Sequence, residues 1–276
     1  MVSYTDTFEN IRDDFKANGI ATDAPGFYDH PAFIEAQLTN PGYMNNYAKF
    51  VLSKNYSEEY LDFVAPKIKF VCDVFYQELL NDGRLGACAD MSKVLSKILD
   101  RLGVWNYSVN GALTTTFPES SGIPKSYYWP IDIDPEMAGH VWVFAPPFTV
   151  IDITIGQQPM DPDSRKHIPD FVYSRESSDV EVGIEDIYSS DVQAEMHLEG
   201  IPMLPEGIFI RNPQLKSFFE TFHRTVFEHH GAELKYIPFA INMSDESLED
   251  MTDLQLNGKY GAEIFEKKIK PVFARE

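Results

Sequence analysis

Residues 139–155 alternate apolar and polar side chains on both sides of Ala145-Pro146-Pro147-Phe148, the pattern of two strands joined by a tight turn. Successive side chains of a strand point to opposite faces. Val141, Val143, Ile151 and Ile153 therefore share one face, and His140, Trp142, Asp152 and Thr154 share the other. A carboxylate in so apolar a strand needs a partner or a wet face, because an unpaired buried charge is strongly unfavourable. His140 is the partner on offer. If residues 144 and 148 pair at the turn, His140 lies directly opposite Asp152, with Cβ atoms about 5 Å apart. A register slipped by one residue would set His140 against Ile153 and turn Asp152 to the far side.

Two helix-patterned segments precede this hairpin. In residues 57–81, Tyr60, Val64, Ile68, Val71, Cys72, Phe75 and Leu79 fall on one face of one helix, or of two joined near Pro66, and Asn81-Asp82-Gly83 ends the segment. Cys72 belongs to this stripe and reads as a small buried hydrophobe. The next stripe is Cys88, Met91, Leu95, Ile98, Leu99 and Leu102, stopped by Gly103. Cys88 thus opens a helix, beside unpaired backbone N–H groups and the positive end of the helix dipole. Sulfur attacks acyl carbon only as thiolate, and a helix start or a neighbouring imidazolium lowers the thiol pKa. Cys88, His140 and Asp152 then read, in that order, as nucleophile, base and orienting carboxylate.

Tyr107 to Thr115 is predicted as a strand, and residues 116–138 as an irregular stretch whose Tyr127-Tyr128-Trp129-Pro130 cluster walls a cleft near the base. Trp129 and Trp142 are the candidate substrate-binding aromatics. Residues 157–180, interrupted by Pro159, Pro162 and Pro169, are predicted as loop. Beyond them come a helix over Pro213 to His230, a strand over Leu234 to Ile241 and a last helical stretch from about Asp245. His229-His230 before Gly231 reads as helix capping.

Composition excludes several classes. With 23 Lys plus Arg against 43 Asp plus Glu, the formal charge of −20 repels nucleic acid and anionic lipid. No apolar run approaches the ~20 residues of a membrane span. The N-terminal residues lack the basic-then-apolar layout of a secretion signal, so a cytoplasmic protein is expected, with export by an unrecognised route left open. The only other cysteine being Cys72, there is no disulfide framework. Neither metal-ligand spacing nor a phosphate-binding glycine loop is present, so no cofactor or metal is expected.

Gly86-Ala87-Cys88 opening a helix that ends Leu102-Gly103-Val104, then Gly139-His140-Val141-Trp142-Val143, then Ile151-Asp152-Ile153-Thr154 resembles the core of the transglutaminase-like superfamily, relatives of papain-type cysteine proteases. The resemblance covers roughly residues 57–157. It implies an α+β fold in which the nucleophile helix packs on an antiparallel sheet bearing His140 and Asp152. A helical N-terminal extension (1–56) and a C-terminal α+β extension (158–276) packed on the core complete the expected organisation. It also implies acyl transfer on a protein or peptide amide through a thioester on Cys88, as protease, amidase, deamidase or transglutaminase. The sequence departs from the family in the long insertion before His140. Gln77 and Asn81 are the available side-chain amides for an oxyanion, and the backbone N–H of Cys88 is another donor. Two other readings stand beside this one: a catalytically inactive binding protein, and an arylamine-acetyltransferase-like enzyme, for which Arg-Gly-Gly-x-Cys character is missing. Oligomeric state is left open.

Overall fold

The alternating segments become strands of one antiparallel sheet, seen in a computed structural model that describes residues 4–134 and 139–274. Its strands are β1 (Tyr107–Thr116), β2 (Ser126–Tyr128), β3 (His140–Ala145), β4 (Phe148–Asp152), β5 (Val172–Ser174), β6 (Thr225–His229) and β7 (Ala232–Ile241). Among the described residues they form a seven-stranded sheet in the order β5-β4-β3-β1-β7-β6, with β2 paired to the far half of β1. The fold is thus mixed helix and antiparallel sheet.

Five α-helices of the described residues precede β1: α1 (Tyr4–Ala17), α2 (Pro31–Thr39), α3 (Met44–Ser53), α4 (Glu58–Asp82) and α5 (Cys88–Arg101). Helix α4 starts where the Ser57 hydroxyl accepts the Tyr60 N–H at 3.2 Å and stops at Gly83, whose φ of 74° is left-handed. It is one helix rather than two. Pro66 lies on its exposed side, where water can satisfy the backbone carbonyl that proline leaves unpaired.

The period-two alternation decides which core each strand residue enters. Val143, Ala145, Ile151 and Ile153 pack with Ile68, Phe75, Leu79, Leu95 and Leu99 of α4 and α5 in one cluster. Trp142, Val150, Leu234 and Tyr236 enter the other, which holds the aromatic side chains of α1 to α3. Each fully buried Leu or Ile contributes about 1.5–3 kcal/mol, so the α5 stripe anchors the helix to the sheet. The far half of α5 is also held by charge. Lys97 Nζ donates to both carboxylate oxygens of Asp29 at 2.5 and 2.6 Å, and the Tyr28 hydroxyl donates to Asp100 at 2.7 Å.

Several expectations need correction. The hairpin turn pairs Ala145 with Phe148, not Phe144 with Phe148, and the Pro146-Pro147 peptide bond is cis. That turn alone would set His140 against Ile153. Between it and the Val143–Ile151 pair the register shifts, two β4 residues facing one β3 residue, and this bulge restores the parity. Asp152 consequently lies across from Trp142 and diagonal to His140, on the shared face.

The stretch 116–138 is not wholly irregular, since β2 forms within it; its residues 135–138 lie outside the described residues. The predicted loop over 157–180 contains β5. The helix expected over Pro213 to His230 ends at Thr221, and the chain then turns into β6. His229 pairs with Ala232 across a turn whose central residues, His230 (φ 48°) and Gly231 (φ 78°), are both left-handed, as a two-residue hairpin requires. His229 therefore ends a strand and His230 opens the turn, so neither caps a helix. After Asp245 the chain is extended or turning, with a small hairpin at 255–260, before helix resumes at Gly261. The 158–276 segment does more than pack on the sheet, because β5, β6 and β7 are part of it.

Candidate active site

Helix α5 delivers Cys88 to one end of β3. Ser92, one turn along, donates from its hydroxyl to the Val141 carbonyl at 3.2 Å and fixes the helix over that strand. Ala87 offers no side-chain cap, so the first N–H groups of α5 stay available beside the sulfur. Gly111 on β1 lies opposite His140 and permits a close approach: a Cβ there would meet the Trp142 ring at 2.4 Å and the Ile237 carbonyl oxygen at 2.2 Å. Any larger residue would push against the β7 backbone and the Trp142 ring.

The imidazole and carboxylate meet in the interior. His140 Nε2 is 2.6 Å from Asp152 Oδ2, and both side chains are fully buried. Three further donors hold the carboxylate: Thr154 N at 2.9 Å and Thr154 Oγ1 at 2.8 Å on Oδ1, and the Tyr236 hydroxyl at 3.0 Å on Oδ2. Burying a carboxylate costs several kcal/mol unless partners satisfy its lone pairs, and here each oxygen has two. Burial raises Asp152, but the His140 charge and the Thr154 donors outweigh it and leave the pKa below the ordinary carboxylate value.

With Nε2 engaged, Nδ1 is the ring nitrogen left for sulfur. It is buried and without a conventional hydrogen bond among the described residues. Burial lowers the His140 pKa, while Asp152 and the Cys88 thiolate raise it further, so the net shift is upward. Cys88 shifts the opposite way. Burial raises its pKa, but the His140 charge and the Val141 backbone N–H outweigh this and hold the thiol below its ordinary value. Opposite shifts of this kind favour a thiolate–imidazolium pair, and imperfect alignment between catalytic groups is common before substrate tightens it.

The remaining predicted residues fall in different places. Gln77 and Asn81 are exposed side chains of α4, with no hydrogen bond to Cys88, His140 or Asp152 among the described residues. Trp129 stacks on Tyr127 at 5.3 Å and donates its indole N–H to the Glu185 carbonyl at 2.7 Å. Trp142 is buried against Tyr236, with ring centroids 5.2 Å apart, and both rings line a small apolar cavity of about 120 Å³. Trp142 therefore backs the His140–Asp152 pair from the core. Tyr128 stands closer to His140 than Trp142 does, its ring 5.5 Å from the imidazole, and burial, then the Cys88 charge, push its phenol up to about 12.

Sequence reasoning missed Tyr236, which lies 84 residues from its partner Asp152. Its one signal was a tyrosine in a core-facing strand position, where the hydroxyl demands a partner. Cys72 is buried, and burial pushes its thiol up to about 12. No group of three or more metal-ligating side chains occurs among the described residues, and none of their helices is long and apolar enough to cross a membrane. Comparison with protein-family models, curated proteins and solved structures finds no match for this chain.

Proposed function

We propose that the protein is a cysteine-dependent acyl-transfer enzyme of transglutaminase-like character, acting on an amide of a protein or peptide through a thioester on Cys88. The observation that carries this reading is the buried 2.6 Å His140–Asp152 pair, its free ring nitrogen left for a cysteine at a helix start. A structural histidine has no need of a buried carboxylate with three additional donors. A catalytic one does, because the carboxylate fixes the tautomer and supports the imidazolium.

The steps follow from the charges. The Cys88 thiolate attacks the acyl carbon, a C–S bond forms and the carbonyl electrons move onto oxygen. Backbone N–H groups at the start of α5 are the nearest preorganised donors for that oxyanion. On collapse the C–N bond breaks, and His140 transfers its proton to the departing nitrogen. Water, or a second amine, then gives a proton to neutral His140 and attacks the thioester. The C–S bond breaks, and the thiolate–imidazolium pair returns. Asp152 stays ionised throughout and positions the ring.

An activated ester tests the first half-reaction without knowledge of the natural substrate. Mixing the protein with p-nitrophenyl acetate is expected to give a burst of p-nitrophenol, with an acetyl group recovered by mass spectrometry on Cys88. Cys88→Ala should remove both. Acetylation spread over lysines with no modified Cys88, or an undiminished burst from Cys88→Ala, would refute the proposal.

A further inference from the structure

A recess of about 280 Å³ adjoins the segment that leads into Cys88 and is lined by none of the triad residues. Two features tie it to the sulfur. Tyr128, whose ring lies 5.5 Å from that of His140, forms one wall; Pro159, another wall residue, lies 4.0 Å from where a Cβ on Gly86 would stand, two residues before Cys88. The Gly86 N–H also donates to the Gln157 carbonyl at 3.1 Å, which fastens the cysteine loop to the segment that carries Pro159.

The depth of the recess is uncharged, its apolar side chains mixing with the buried hydroxyl residues Thr115 and Ser164. Phe117, Ile155 and Ile168 are buried at its base, with Ile123 and Met160 half-buried above them. Charges stay at the mouth, where Lys125 is exposed and Asp161 is already occupied, its carboxylate accepting from Asp163 N, Ser164 N and Ser164 Oγ. Phe117, Ile123 and Lys125 come from the insertion between the cysteine helix and His140. A cavity of about 150 Å³ already holds a benzene molecule, so a phenyl-sized group fits this one with room for its attachment. A charged group would lose its hydration at the base without gaining an opposite charge there. The acyl portion stays on sulfur until the second half-reaction, whereas the amine leaves in the first, and a recess suits the part that stays.

We infer that this recess is a specificity pocket for an uncharged aromatic or branched aliphatic group attached to the acyl carbon. The inference rests on the proposed role of Cys88. Two chloromethyl ketones that differ in one side chain test it, because each alkylates a thiolate in the same way: sulfur bonds to the methylene carbon, the C–Cl bond breaks and chloride departs. After division by each reagent's rate with glutathione, tosyl-phenylalanyl chloromethyl ketone is expected to label Cys88 roughly tenfold faster than tosyl-lysyl chloromethyl ketone, the scale of discrimination in an apolar pocket.

Ser126→Trp and Met160→Trp fill the recess from separate walls. In each, the ratio of phenylalanyl to lysyl labelling should fall towards unity, both rates being referred to iodoacetamide labelling of the same variant. Equal rates in the wild-type protein, with brisk iodoacetamide labelling of Cys88, would overturn the pocket and leave the nucleophile standing. Sluggish labelling of Cys88 by all three reagents would remove the catalytic reading and the pocket with it. Persistence of the full preference in a folded tryptophan variant would also overturn the pocket, and the wild-type ratio decides the matter should both variants fail to fold.

Discussion

Cys72 and Cys88 belong to consecutive helices that share one hydrophobic core, yet their thiols are driven in opposite directions. Cys72 sits in the body of α4 among apolar neighbours, and desolvation raises its pKa to about 12. Cys88 stands half-buried at the first residue of α5, and the desolvation it also suffers is outweighed by His140 and the Val141 N–H. Desolvation raises both thiols, so burial alone cannot hold that of Cys88 below its ordinary value. What separates them is position along the helix and a histidine whose own charge is supported by Asp152.

Removing that histidine should have the largest effect. His140→Ala is expected to lower turnover at least ~10³-fold, and Cys88→Ala by a similar amount, with the double variant hardly worse because groups acting as one unit are not additive. Steady-state release of p-nitrophenol, with circular dichroism as a folding control, checks this. Near-normal rates in folded His140→Ala would erase the distinction between the two cysteines.

Asp152→Asn should cost roughly 10²–10⁴-fold through the wrong imidazole tautomer. It should also alter stability with pH. The wild-type carboxylate, held below its ordinary value of 3.8, contributes stability that is present above that value and is lost as the pH falls through its lower folded value. Urea unfolding between pH 2 and 6 should accordingly be flatter in the variant than in the wild type.

Tyr236→Phe removes one of the two donors on Asp152 Oδ2 and spares the imidazole. A hydrogen bond to a charged acceptor is worth about 1.5–3 kcal/mol, so destabilisation within that range and a rate loss of about tenfold are expected. Thermal unfolding and ester turnover measured together would separate the two effects. The smallest change should follow Cys72→Ala: turnover within twofold of wild type and a stability loss of about 1 kcal/mol from the lost core contacts. A large activity loss in a stable Cys72→Ala protein would mean that this cysteine also serves the reaction.

Much of this site was legible in the sequence because each part broke a local pattern. A cysteine began an apolar stripe, and an aspartate interrupted an apolar strand on the face that also held a histidine. The faces followed from the period of two and survived folding. The register did not, because the bulge between Phe148 and Ile151 leaves no mark in composition, and without it the turn as built would have separated His140 from Asp152. Tyr236 was hidden by distance along the chain, and β2 by its length of three residues. The turn at His230-Gly231 was hidden by histidine standing where asparagine or aspartate usually signals left-handed backbone.

The central claim is that imidazolium, and not burial, sets the reactivity of Cys88. The most direct measurement is the rate of iodoacetamide labelling at each cysteine from pH 4 to 10, resolved by mass spectrometry in the native wild type and in His140→Ala. The wild type should label Cys88 with a midpoint below the ordinary 9.0 while Cys72 stays unlabelled, and His140→Ala should carry the Cys88 midpoint upward, because desolvation is then opposed by the Val141 N–H without the imidazolium. Superimposable Cys88 profiles in the two proteins, or earlier labelling of Cys72, would contradict it.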